Sequence, residues 1–387
     1  MAEGGRAMIP IKYRLDSITE KEYIDMALSC INNAKNYSHK LEVFLNNIKH
    51  SEPVAGNILN RAKRFTADYP DSWCLCEWLV MPYAEMAEIR NYLDKLICAD
   101  LGPINAYKEN KKYRIEEIKS YHDLQSRRKK TYSVHTDIEK IVSKHIWYDD
   151  IDADFEAFRA FYDDWPKGGI NYWIIEKTEI KVCPYCNISY TYSRGKTVTA
   201  QLDHFFPKSE YAILALCFYN LIPSCPACNK IKLDGTKEMA SPYKDGAFKD
   251  LRITWDYAAH DKYSEKGSLT ELEEMIEIKI ETDSKDEQCN LTDMKIEEAY
   301  QQHRDYASEI IKKARTYANP EAQKLICNIG TSVGITPEEV ERFYLGNYMD
   351  ENDLKKRPLS KMTKDFYCEI IACLKADSGL MDKADDK

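Results

Sequence analysis

Three runs of residues decide how this chain is read: Cys183-Pro184-Tyr185-Cys186, then Leu202-Asp203-His204-Phe205-Phe206-Pro207-Lys208, then Asn220-Leu221-Ile222-Pro223-Ser224-Cys225-Pro226-Ala227-Cys228-Asn229-Lys230. Two Cys-x-x-Cys pairs bracket an acid, an imidazole and an amide, and each pair has proline after its first cysteine. Four thiols in two such knuckles make a tetrahedral zinc site if the knuckles meet in space. Four sulfurs saturate the ion, so zinc here is expected to be structural and to do no chemistry. It would clamp the ends of the insert at residues 187–224 and stiffen what lies inside.

Within the insert, Ser189–Tyr192 and Thr197–Leu202 are β-prone, with Arg194-Gly195-Lys196 as the turn between them. This predicts a hairpin whose second strand delivers Asp203 and His204 at its end. Tyr211–Tyr219 has helical or irregular character, and Asn229-Lys230-Ile231-Lys232 reads as the start of a helix.

The segment from 183 to 245, about a sixth of the chain, resembles the HNH nucleases, the ββα-metal or His-Me finger group with a zinc-bound framework. The family pattern is matched by Cys183 and Cys186, Asp203-His204 with Pro207, Asn220, Cys225 and Cys228, then Asn229 and Lys232. Asn229 stands where many members have histidine. The resemblance implies a metal-dependent phosphodiesterase with His204 as general base. It implies one Mg²⁺ or Mn²⁺ held by Asp203 and Asn229 through hard oxygens. Asn220 would orient the His204 ring or brace the loop that carries it. Lys230 and Lys232 would contact flanking phosphates. Products with 5′-phosphate and 3′-hydroxyl ends follow from the same resemblance. DNA is favoured over RNA as substrate. A toxin-like RNA nuclease and a zinc-ribbon binding module without catalysis are the alternatives.

A chain of 387 residues is long enough to build its own core and suits two or three domains. No run of eighteen apolar residues occurs, so no membrane span is expected. The N-terminus lacks the apolar stretch of a secretory signal, and Ala2–Arg6 reads as a flexible leader. Thirteen cysteines, an odd count, with two metal-type knuckles argue for a reducing cytoplasm and not for a disulfide framework. A net charge of −9 does not advertise a nucleic-acid binder, so any grip on phosphates must be local or supplied by a partner.

The fold class read from these patterns is α+β and mainly helical. A nuclease core at residues 171–247 is flanked by a helical region at 1–170 and a helical region with a few strands at 248–387. In the first region, Ile24, Ala27, Leu28, Ile31 and Ala34 follow a helical stripe capped by Thr19 or Ser17. A second helix is expected over 71–97 and a third over 104–124, followed by the basic run Arg127-Arg128-Lys129-Lys130. Phe155, Phe158, Phe161, Tyr162 and Trp165 have ordinary core spacing, which favours packing over base stacking. Further on, Leu251–Trp255 and Met275–Glu281 read as strands and Thr292–Ala318 as one long helix. Thr336-Pro337-Glu338-Glu339 reads as a capped helix start, and a last helix begins near Ser360. Helical flanks around such a core look like the HNH component of Septu-type bacterial antiphage defence systems. That likeness implies an ATPase or another operon-encoded protein as partner.

Overall fold

Helix α1 (Ser17–Cys30) starts where the Asp16 side chain accepts from the Ile18 and Thr19 amides, and Thr19 bonds back to the Asp16 amide. The cap is thus Asp16, and Thr19 is the third residue of the capping box. In this computed structural model the described residues are 8–101, 154–155, 157–164, 169–195, 197–232, 239–257 and 268–377. The leader, the expected helix at 104–124, the basic run 127–130, Trp165, and the tail beyond 377 lie outside them. The chain forms two compact units, one of Arg14–Ile170 with His204–Leu221, the other of Met1–Tyr13, Asn171–Asp203 and Ile222–Lys387.

The first unit continues with α2 (Ala34–Ile48), α3 (Pro53–Ala62), α4 (Trp73–Val80), α5 (Tyr83–Leu101) and α6 (Ala157–Asp164). The single helix expected over 71–97 is two helices. Pro82 has no amide to donate, and Met81 before it is extended with ψ 140°, so the helix must stop and restart. Phe155, Phe158 and Phe161 are buried and ring Tyr37 at 4.9–6.2 Å between centroids, which is core packing. The segment His204–Leu221 is embedded in this helical unit. Trp78 Nε1 donates to the Ile213 carbonyl at 2.8 Å, and Tyr23 Oη donates to that of Leu216 at 2.8 Å. Residues 212–220 are almost fully buried and include two short 3₁₀ turns, Ala212–Leu214 and Phe218–Asn220.

The second unit holds α7 (Ile170–Thr178) from Asn171 on, the short hairpin β1 (Ser193–Arg194) and β2 (Thr197–Val198), then β3 (Gln201–His204) up to Asp203, β4 (Leu221–Ser224) from Ile222 on, and α8 (Pro226–Lys232). The hairpin is shorter than expected, and Gly195 takes the left-handed φ of +60° that its tight turn requires. Its second strand ends at Val198, and β3 pairs with β4 instead of extending the hairpin.

Beyond α8, β5 (Arg252–Tyr257) and β6 (Ile276–Glu281) pair antiparallel, with Ile253 opposite Ile280 and Trp255 opposite Ile278. Helices α9 (Leu269–Met275), α10 (Lys285–Asp293), α11 (Ile296–Tyr300), α12 (Arg304–Ala318), α13 (Pro320–Ser332), α14 (Pro337–Leu345) and α15 (Ser360–Asp377) complete the unit. The long helix expected over 292–318 is broken at Lys295, whose φ of 51° cannot continue a right-handed helix. The capping box Thr336–Glu339 forms as expected, with Pro337 in the first turn. Trp255 packs on Phe366 at 4.6 Å, which sets α15 across the β5–β6 pair. The architecture is mainly helical with small antiparallel sheets.

Candidate functional site

The sulfur atoms of Cys183, Cys186, Cys225 and Cys228 lie within 4.8 Å of one another, and all four residues are buried. The first knuckle is built by turns: the Cys183 amide donates to Ser189 O and the Asn187 amide to Cys183 O. Asn187 takes φ 51°, and the next amide, Ile188 N–H, donates to Cys186 Sγ at 3.4 Å. In the second knuckle Cys228 N–H donates to Cys225 Sγ at 3.4 Å. Amides aimed at sulfur favour thiolates. Hydrogen bonds from the three other cysteines pull the Cys225 thiol far down, while burial pushes Cys183 well up. Four soft donors in a closed, buried cluster fit structural zinc. Among the described residues this is the one cluster of three or more cysteine, histidine or acidic donors.

The knuckle is also a joint. Asn187 accepts from Leu359 N at its carbonyl and from Lys361 N at its side chain, at 2.7 and 3.0 Å, so it holds the start of α15. Tyr300 Oη donates to the Cys186 carbonyl at 2.8 Å. Ile9 N–H donates to Pro184 O at 2.9 Å. None of these partners carries a sequence signal, because each is a long-range contact between ordinary residue types.

In the same unit Asp203 is buried at 4% exposure. Tyr185 Oη donates to its Oδ2 at 2.6 Å, and Lys232 Nζ lies 3.1 Å from both carboxylate oxygens. The Lys232 side chain is 1% exposed. The expectation that Lys232 reaches a flanking phosphate is replaced in this structure by an internal ion pair, because its ammonium ends on Asp203. Lys230 is exposed. Asn229 is half-buried and donates from Nδ2 to Gln201 Oε1 at 2.7 Å. One carboxylate already paired with an ammonium, and one amide turned to Gln201, do not fit a hard divalent ion as they stand. Tyr185, which the sequence offers only as a spacer inside the first knuckle, is the residue missed here. Burial first, and then Asp203, push its hydroxyl well above the usual tyrosine range, so it stays a donor.

In the other unit, the His204 ring is half-buried and its Nε2 lies 3.0 Å from the Ala215 carbonyl. A carbonyl only accepts, so Nε2 carries a proton, and the neutral form of the ring with this bond has its lone pair on Nδ1. Tyr162 meets the ring edge-on at 4.4 Å, and the Lys208 ammonium lies over the Tyr162 ring at 4.9 Å. Arg159 donates to the Lys208 and Ser209 carbonyls at 2.6 and 3.1 Å. Asn220 is fully buried and braces this loop through its amide. Of the two roles expected for Asn220, loop bracing is the one its bonds describe.

Comparison with known protein families, curated proteins and solved structures finds no match. Among the described residues no helix is long and apolar enough to cross a membrane.

Proposed function

We propose that this chain is a nuclease of the HNH type that hydrolyses phosphodiester bonds, with DNA as its substrate class. The observation that supports the reading is the Nε2–H bond from His204 to the Ala215 carbonyl, 3.0 Å long. In a neutral ring this bond favours the tautomer with its lone pair on Nδ1, the form a general base needs. Asn220 keeps the loop in place from beneath. A buried four-thiol cluster, suited to a zinc frame, is consistent with the same reading.

In this reading His204 takes the proton of the attacking water, and Lys230, exposed at the end of α8, meets a flanking phosphate. A divalent ion would neutralise the scissile phosphate, but the donor set at Asp203 and Asn229 does not hold one in the arrangement described above. The acidic balance of the chain, −9, supports recruitment to DNA by a partner, an ATPase or other operon-encoded protein in an antiphage system. Salt-resistant DNA binding by the isolated chain would count against recruitment.

A second reading is a zinc-framed module that binds nucleic acid or protein and does not cut. It is favoured by the neutralisation of Asp203 by Lys232. Incubating the zinc-loaded protein with plasmid, single-stranded DNA and total RNA, with and without Mg²⁺, separates the readings. DNA cleavage that His204→Ala abolishes supports the nuclease. Cleavage of RNA alone points to a toxin-like activity, and no cleavage of any substrate supports the binding module.

A further inference from the structure

Asp203 has an unusual set of partners for a residue expected to hold a metal. Both of its oxygens lie 3.1 Å from one ammonium, so Lys232 Nζ straddles the carboxylate where a chelated cation would sit. Tyr185 Oη donates to one of the same oxygens at 2.6 Å. Asp203 is 4% exposed and the lysine side chain 1%, so water contributes little to either charge. Burying such a pair is tolerable only because each ion neutralises the other. Among the described residues Asp203 belongs to no group of three or more cysteine, histidine or acidic donors. The neighbouring amide, Asn229, is turned to Gln201.

We infer that Lys232 is the resident cation of the Asp203 carboxylate, and that a divalent ion gains this carboxylate only by displacing the Lys232 ammonium. The ammonium and a hard dication use the same lone pairs, and both cannot sit against one buried carboxylate without strong repulsion. Lys232 is the last residue of α8 and its side chain is almost fully buried, so displacing its ammonium means moving a buried side chain at the end of the helix. Divalent affinity is then set by competition with a tethered cation. This deepens the nuclease reading, on which its bearing on cleavage rests.

The test is a Mn²⁺ titration of the full-length, zinc-loaded chain, followed by electron paramagnetic resonance of the free ion. Mn²⁺ is a poor competitor for a four-thiolate site, so the zinc is not disturbed. Lys232→Met is expected to bind Mn²⁺ about ten times more tightly than the wild type, or better. The double variant Lys232→Met, Asp203→Asn should lose that gain. Equal affinities in wild type and Lys232→Met, or a gain that survives in the double variant, would overturn the inference. Where Lys232→Met does not fold, judged by circular dichroism and zinc content, amine labelling of the wild type decides. Lys232 that resists acetic anhydride without metal and becomes reactive as Mn²⁺ rises supports displacement. Labelling that Mn²⁺ leaves unchanged, while an Asp203-dependent site fills, refutes it. These readouts do not involve cleavage. A chain that cuts no nucleic acid sinks the nuclease reading and leaves the titrations standing, and equal Mn²⁺ affinities sink the lysine's role without touching cleavage.

Discussion

Asn220 clasps Phe206 by both of its backbone groups: its Oδ1 accepts from the Phe206 amide at 2.7 Å, and its Nδ2 donates to the Phe206 carbonyl at 3.1 Å. The same Nδ2 reaches the Leu214 carbonyl at 3.0 Å. A single buried amide therefore pins both arms of the loop that follows His204. Asn220→Ala leaves three backbone groups without that partner in a site closed to water, and a loss of about 3 kcal/mol is expected. Asn220→Asp should be at least as damaging, because it sets an acceptor against two carbonyls. Urea denaturation of the full chain checks both. Losses below about 1 kcal/mol in both variants would mean that the loop stands without the clasp.

The His204 ring is half-buried, with Nε2 on the Ala215 carbonyl and Tyr162 edge-on to the ring. On the nuclease reading His204→Ala should reduce cleavage by about 10²–10⁴-fold while circular dichroism and zinc content stay as in the wild type. Cleavage at the wild-type rate would remove the imidazole from the role of base.

The parts of this molecule that could be read from sequence are those fixed by local rules. Two Cys-x-x-Cys knuckles announce a four-sulfur cluster because spacing alone aims the thiols. The alternation of Ile276, Ile278 and Ile280 marks β6 because one face must be buried. Thr336 and Glu339 mark a helix start because the capping box is a four-residue device. The helix break at Pro82 was equally local, and the apolar stripe running through it hid the signal. What could not be read is what depends on partners far along the chain. Lys232 stands one turn beyond the knuckle among surface-type residues, and only the folded chain turns it inward onto Asp203, 29 positions away. Tyr185 and Ala215 acquire their roles in the same way.

Cys225→Ser removes one of the four sulfurs of the buried cluster. Zinc bound by four such sulfurs is worth about 10–16 kcal/mol in small peptides. That exceeds the stability of many whole domains, about 5–15 kcal/mol. Loss of zinc should therefore loosen the contacts that meet at the knuckle, Tyr300 on Cys186 and Asn187 on the start of α15. Metal analysis should show zinc falling to near zero, and hydrogen exchange should rise at residues 359–363. Unchanged exchange there in zinc-free protein would show that α15 is held independently of the metal.

Lys361 and Asp365 form an ion pair inside the second unit, with both side chains almost fully buried. Asp365 also accepts from Ile253 N–H at 2.8 Å, linking α15 to β5. Asp365→Ala should cost about 3–5 kcal/mol, because it leaves a buried ammonium and a strand amide unpaired. Burial pushes Lys361 down from 10.5 to about 8, and burial also pushes Asp365 up, so in each residue desolvation outweighs the partner's charge. Between about pH 8 and 10.5 the unfolded chain still holds the lysine proton that the folded chain has released. Stability contributed by this residue is therefore lowest below about pH 8, where the buried ammonium stays charged, and rises as pH climbs through that window. The double variant Lys361→Met, Asp365→Asn removes both titrations and serves as the reference. The denaturation free energy of the wild type minus that of the double variant should increase across the window, and a flat difference would show that Lys361 keeps an ordinary lysine pKa in the folded chain.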